Sequence, residues 1–160
     1  MSIIKSPSAA ERRLQELGLV LPTPPQPFGA YVMAVQAGAL LFLTGMLATQ
    51  GRQAAYVGRV GIEVGVETGR AAARLAALNA VALARQHLGT LDRVKRIVRL
   101  GVMIASSGEL REHPKVADGA SELLQDVFGQ DRASSRLVSG VASLPLGSPI
   151  ELELIFEVVD

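Results

Sequence analysis

The chain has 160 residues, enough for one domain with a buried core and too few for two. Its 49% apolar content and net charge of +1 exclude general disorder, and the lack of cysteine excludes a disulfide or thiolate-metal scaffold. So small a net charge gives no support to electrostatically driven nucleic-acid binding, and with only 4% aromatic residues the core must be built from Leu, Val, Ile and Ala. Charge is unevenly spread: no Asp, Glu, Lys or Arg occurs from Leu17 to Gly51. Within that run, Ala30–Ala48 is long and apolar enough to raise the question of a membrane span.

In chain order, the N-terminus shows no signal-peptide pattern, so the cytoplasm is the expected compartment. Ser8–Leu17 reads as a short helix, with Ser8 as N-cap, Glu11 at capping-box spacing, Gly18 as stop, and Leu14 and Leu17 on one face. LPTPPQP, with four prolines in seven residues, is an extended connector. Residues 1–27 therefore form an N-terminal helix and connector, and residues 28–160 the folded domain. Tyr31–Gln36 and Leu40–Thr44 read as a hairpin around a turn at Ala37–Gly38, which disfavours the membrane span. A glycine-rich stretch follows, in which Tyr56 and Val57 are the best-placed residues for pairing.

Val66–Leu88 is an Ala-rich helix ended by Gly89, with Arg70, Arg74 and Arg85 near one stripe. Val94–Ala105 is too β-branched for a helix and reads as a strand. Val116–Phe128 is a second amphipathic helix stopped by Gly129. Arg136–Ala142 and Ile150–Val158 are the last strands. In the latter Ile150, Leu152, Leu154 and Phe156 alternate with Glu151, Glu153, Ile155 and Glu157. The order predicts an α+β domain: a mixed sheet with both long helices on one face, its other face needing cover, for which a partner subunit is the natural candidate.

Few residues suggest chemistry. His87 and His113 lie in different elements without metal-ligand spacing, and both read as surface or helix-end residues. Neither a nucleophile-elbow motif nor a phosphate-binding loop is present. Strand alternation sends Arg96 to one face and Lys95 and Arg99 to the other, as solvated or ion-paired residues. What remains is Arg136 before LVSGVASLPLGSP and then Glu151 and Glu153: an Arg able to fork a carboxylate and a glutamate able to move a proton, should the strands bring them together. On pattern alone, solvated strand glutamates are the commoner reading.

The tail SRLVSGVASLPLGSPIELELIFEVV resembles the C-terminal signature of the Rid family, also called YjgF and, in older usage, L-PSP endoribonucleases. GAYVMAVQAGALLFLTG resembles the family's first hairpin, LDRVKRIVRLGVMIAS its middle strand and VADGASELLQDVFG its second helix, so the likeness covers residues 28–158. The resemblance implies a chorismate-mutase-like α+β fold and a homotrimer with clefts between subunits. It implies hydrolysis of reactive enamines and imines, of the 2-aminoacrylate and 2-iminopropionate type, to 2-keto acid and ammonia without metal or organic cofactor. The small-molecule partner is then an imino or keto acid, with no nucleic acid or membrane involved. Arg136, nine residues before Pro145, would clamp the substrate carboxylate, and Glu151, six residues after it, would orient or activate water. Tyr31 and Thr44 would line the cleft. Asp118 stands where the family usually has Asn and would place a carboxylate near the substrate. The alternatives are a trimeric module that binds a small carboxylate without turnover, and RNA cleavage as the older family name implies.

Overall fold

The computed structural model describes residues 9–160. In chain order it contains α1 (Ala9–Glu16), β1 (Ala34–Ala37), β2 (Leu40–Leu47), β3 (Thr49–Gln50), β4 (Gln53–Ala54), α2 (Val66–Leu88), β5 (Val94–Ala105), α3 (His113–Phe128), β6 (Ser135–Val141) and β7 (Ile150–Val158). The main sheet runs β1-β2-β7-β5-β6, antiparallel except for the parallel pair β5 and β6, which α3 connects as a crossover. β3 and β4 form a separate two-stranded ribbon. This is the mixed α+β sheet the element order predicts. Among the described residues no helix is long and apolar enough to cross a membrane, and the uncharged run folds instead as the β1–β2 hairpin.

That hairpin turns one residue later than expected, on Gly38 and Ala39, with Gly38 at φ +59. β1 also starts later: Tyr31 precedes it in an irregular segment. α3 begins three residues before the expected Val116, because Pro114 is well suited to the first turn of a helix. Tyr56 and Val57 fall outside both ribbon strands, so the expected pairing there is corrected to Thr49–Gln50 with Gln53–Ala54.

β7 explains the layering. Ile150, Leu152, Leu154 and Phe156 are buried under the helices, while Glu151, Glu153, Ile155 and Glu157 face the other way and are partly exposed. α2 lies on the sheet through a face of small residues, with Ala72, Ala73, Ala76, Ala77, Ala80 and Ala84 all fully buried. One polar residue breaks this face. Asn79 is buried and its Nδ2 donates to the carbonyls of Leu47 and Thr49, each at 3.0 Å. It thereby satisfies backbone acceptors where β2 leaves the sheet.

α1 is tied on by a contact its sequence does not announce. Glu11 accepts from the Leu91 amide at 2.9 Å and pairs with Arg85 at 3.1 Å, so it joins α1 to the α2–β5 junction. Ser8, the expected N-cap, lies outside the described residues. Leu14 is buried, whereas Leu17 is exposed and does not share its burial.

α2 and α3 meet with almost no gap at Gly119, where an added Cβ would collide with the carbonyl of Arg70. Gly119→Ala is therefore expected to lower stability by about 1–3 kcal/mol through overpacking, read as a lower urea midpoint at unchanged m-value.

Candidate functional site

The register decides which expected site residues can meet. One row across the sheet is Ala34, Leu43, Leu154, Leu100 and Arg136, and this row faces the helices. The adjacent row is Val35, Phe42, Ile155, Arg99 and Ser135, on the open face. Arg136 thus sits on the helix side, on the edge strand β6. Glu151 lies on the open face of β7, with β5 between the two strands, a lateral offset of about 10 Å. A single chain does not bring Arg136 and Glu151 face to face: the sequence left open whether their strands pair directly, and in the sheet they do not. The two residues anchor separate half-sites.

The first half-site is built on β6 and α3. Nη1 of Arg136 donates to Asp118 Oδ1 at 2.7 Å and to Ser121 Oγ at 3.0 Å. Asp118 and Ser121 are three apart and so share one face of α3. Among the described residues nothing engages Nε or Nη2 of Arg136, so the guanidinium is held by one corner and keeps its two-donor edge free. A cavity of about 170 Å³ opens beside it, lined also by Gln125, Arg132 and Ser134.

The second half-site forms where β2 bulges. Its register with β7 shifts between Leu43 and Met46, and Gly45 sits at φ +73. An L side chain is strained at that φ, so it is the backbone conformation of the bulge that calls for glycine. Glu151 Oε1 and the Tyr31 hydroxyl come within 3.8 and 3.9 Å of where a Cβ on Gly45 would stand. Tyr31 is fixed because its hydroxyl accepts from the Phe28 amide at 3.2 Å. Thr44, next to Gly45, is exposed, and its amide donates to the Met33 carbonyl at 3.1 Å. The structure therefore groups Tyr31, Thr44 and Glu151, and separately groups Arg136 and Asp118.

Glu151 is electrostatically unusual. It has no hydrogen-bond or ion-pair partner among the described residues, and partial burial pushes its carboxyl above the usual glutamate range. The turn that delivers it is strained. Leu146, in the Pro145–Gly147 turn, adopts φ +60, a left-handed conformation that costs a non-glycine residue about 1–2 kcal/mol. Buried Ser148 then pins the start of β7, its Oγ donating to the Ile150 carbonyl at 2.8 Å.

The basic strand residues do not alternate as expected. The register shift between Val94 and Arg96 in β5 against β7 brings Lys95 and Arg96 to the same carboxylate, Glu157, at 3.2 and 2.8 Å. Arg99 pairs with Glu153 at 3.3 Å, so these charges are ion-paired with their neighbours on β7. Sequence reasoning missed Ser121, for which spacing from Asp118 was the available signal. It also missed the Gly45 bulge, whose glycine inside a strand pattern was one.

Residues 11–158 match the family described as "YjgF/chorismate mutase-like, putative endoribonuclease". The chain belongs to the YjgF family. Within it, the chain is 39% identical over 158 residues to Protein TCP17 of Trypanosoma cruzi, with 98% of each chain covered. The solved structure described as a "putative endoribonuclease" from Shewanella oneidensis is 35% identical with a TM-score of 0.89, covering 94% of this chain and 100% of that one. Atu1372 of Agrobacterium tumefaciens is 34% identical with a TM-score of 0.86, covering 94% and 93%. Escherichia coli TdcF, at 22% identity and TM-score 0.61, shares the fold over 88% of this chain and 98% of its own.

The raised Glu151 carboxyl carries a stability consequence of fixed sign. A carboxyl raised on folding contributes stability that is full below the ordinary glutamate range and is lost as pH rises through the raised value. Glu151→Gln should therefore be more stable than wild type at neutral pH, with the gap closing in acid. Urea midpoints measured across that range check it.

Proposed function

We propose that this protein hydrolyses small imino acids to keto acids and ammonia, in a site completed by a second copy of the chain. The observation that carries the reading is Glu151, a carboxylate with no partner among the described residues, its pKa raised by partial burial, lying with the Tyr31 hydroxyl against the Gly45 bulge. Such a group accepts a proton from water and returns it later in the same reaction. Arg136 supplies the other requirement, a free guanidinium edge for the substrate carboxylate. TdcF, which shares this fold, was solved with bound serine, an amino acid close in size to a three-carbon imino acid.

In this mechanism Arg136 holds the carboxylate of an imino acid. Water adds to the imine carbon as one of its two protons passes to Glu151 and the other to the imine nitrogen, leaving the carbinolamine as its alkoxide. The carbinolamine then loses ammonia as Glu151 returns its proton to the amine, and the C–O bond becomes the keto group. The substrate is already electrophilic, so positioning does most of the work. Asp118 and Ser121 act on Arg136, fixing the direction of its free edge.

Because Arg136 and Glu151 lie on opposite faces of one sheet, the second copy is a chemical requirement of this reading. The open face offers a surface for it, with Val35 51%, Leu137 59% and Phe42 36% exposed. A homotrimer, in which each Arg136 edge meets a neighbour's Tyr31–Glu151 group, satisfies both demands.

The test generates 2-iminopropionate and related imines with an amino-acid oxidase and follows their loss. Wild type should accelerate it. Arg136→Ala should lower kcat/KM by roughly two orders of magnitude, in line with the ~2–5 kcal/mol cost of breaking a desolvated charge pair. Mixing Arg136→Ala with Glu151→Gln subunits should restore activity that neither has alone. Loss rates equal to the enzyme-free control for every imine would sink the deaminase reading, and saturable binding of the same keto acids would then favour a carboxylate-binding module.

The assembly is tested separately. Wild type should elute near three times 16.8 kDa. Val35→Asp, which places a charge on the open face, should elute as a monomer with its far-UV spectrum intact. A stable trimer carrying this substitution would place the interface elsewhere.

A further inference from the structure

A third group of polar side chains lies away from both half-sites, at the carboxyl ends of the parallel strands β5 and β6. A cavity of about 470 Å³ opens there, lined among others by Ser106, Ser107, His113 and Gly140. Ser106 and Ser107 follow β5 directly, His113 is the first residue of α3, and Gly140 is near the end of β6. Arg136 is on the same strand as Gly140 but four residues away, about 13 Å along it.

The geometry at Gly140 is specific. Ser106 Oγ and His113 Nε2 lie 2.8 and 2.9 Å from where a Cβ on Gly140 would stand. A residue with a side chain would fill the space that these two atoms flank. Neither side chain has a hydrogen-bond partner among the described residues, although both are partly buried and each has donor capacity to satisfy. Ser107 adds a third hydroxyl, its Oγ 2.9 Å from the Cβ position of Gly61 and its amide donating to the Val60 carbonyl.

The electrostatics select the ligand. Two hydroxyls and an imidazole N–H are donors, and the first turn of α3 adds the partial positive charge of its amides. The carboxylate flanking this turn, Glu112, is answered by Lys115 at 3.9 Å. In α/β crossovers, ligands occupy the crevice beyond the carboxyl ends of parallel strands, which is where this cavity opens.

We propose that Ser106 and His113, meeting over the bare backbone of Gly140, bind a small oxyanion, the carboxylate or phosphate group of a ligand. Ser107 completes the donor set. The assignment does not depend on the deaminase reading, since none of its residues belongs to either half-site.

The chain's two histidines make the experiment self-controlled. His87 sits in the last turn of α2, with Nε2 3.2 Å from Gln36 Oε1 and remote from the cavity. Imidazole proton NMR of the full chain, at fixed pH and ionic strength, is followed during titration with malonate in one arm and inorganic phosphate in the other. A saturable shift of the His113 signal with His87 unmoved is expected, and the arm with the lower half-saturation concentration names the ligand group. Gly140→Ala and Ser106→Ala should each weaken that half-saturation at least tenfold while leaving the His87 signal and the far-UV spectrum as in wild type. Equal shifts of both histidines, no shift in either arm, or a saturable shift that survives both substitutions would each overturn the proposal.

Discussion

A β-sheet has two faces, and the described residues of this chain supply cover for one. All three helices pack on the side that receives Leu43, Leu100, Leu152, Leu154 and Phe156. The positions of the candidate residues Arg136 and Glu151 follow from that one-sidedness through strand parity. A one-residue step along a strand exchanges the helix side for the open side. Arg136 stands in register with Leu100 and so lies under α3, where Asp118 and Ser121 hold it. Glu151 is in register with Met103 and so lies on the uncovered side. The half-sites are separated by the thickness of the sheet.

This separation leaves each group of residues with unused capacity. Under α3, Arg136 is oriented but its free edge meets only a small cavity. On the open side, Glu151 is partly buried with no cation paired to it among the described residues. Ordinary proteins neutralise such a carboxyl by pairing it. Here the carboxyl is unpaired among the described residues, and it and the Tyr31 hydroxyl both lie against the Gly45 bulge. The strained Leu146 turn just before β7 fits the same pattern, since unfavourable backbone conformations persist where the surrounding structure fixes them for a purpose.

Much of this is legible in the sequence, for physical reasons. The bounds of α2, β5 and β7 follow from an Ala-rich stretch ended by Gly89, a β-branched run, and strict alternation. What escapes is whatever depends on a break in periodicity. Simple alternation assigns Lys95 and Arg96 to opposite faces, yet the register shift between Val94 and Arg96 brings both to Glu157. The face of Arg136 relative to Glu151 cannot be read from sequence at all, because it depends on β6 pairing parallel with β5 rather than directly with β7. Asn79 is hidden inside an Ala-rich helix, since only the tertiary structure shows which backbone carbonyls need its amide.

The uncharged run from Leu17 to Gly51 acquires a physical meaning from the same geometry. On the open face the strands divide into two kinds. β5 and β7 carry Arg96, Arg99, Glu153 and Glu157 in ion pairs that already satisfy one another. The β1–β2 hairpin carries Val35, Leu40 and Phe42 with no charge at all. Burying exposed ion pairs costs desolvation, whereas burying these apolar side chains gains about 25 cal/mol per Å². A partner gains most, then, by seating on the hairpin, next to Thr44 and the Gly45 bulge. That is where Glu151 and Tyr31 stand, so the surface most favourable to cover is also the one whose cover would enclose the half-site.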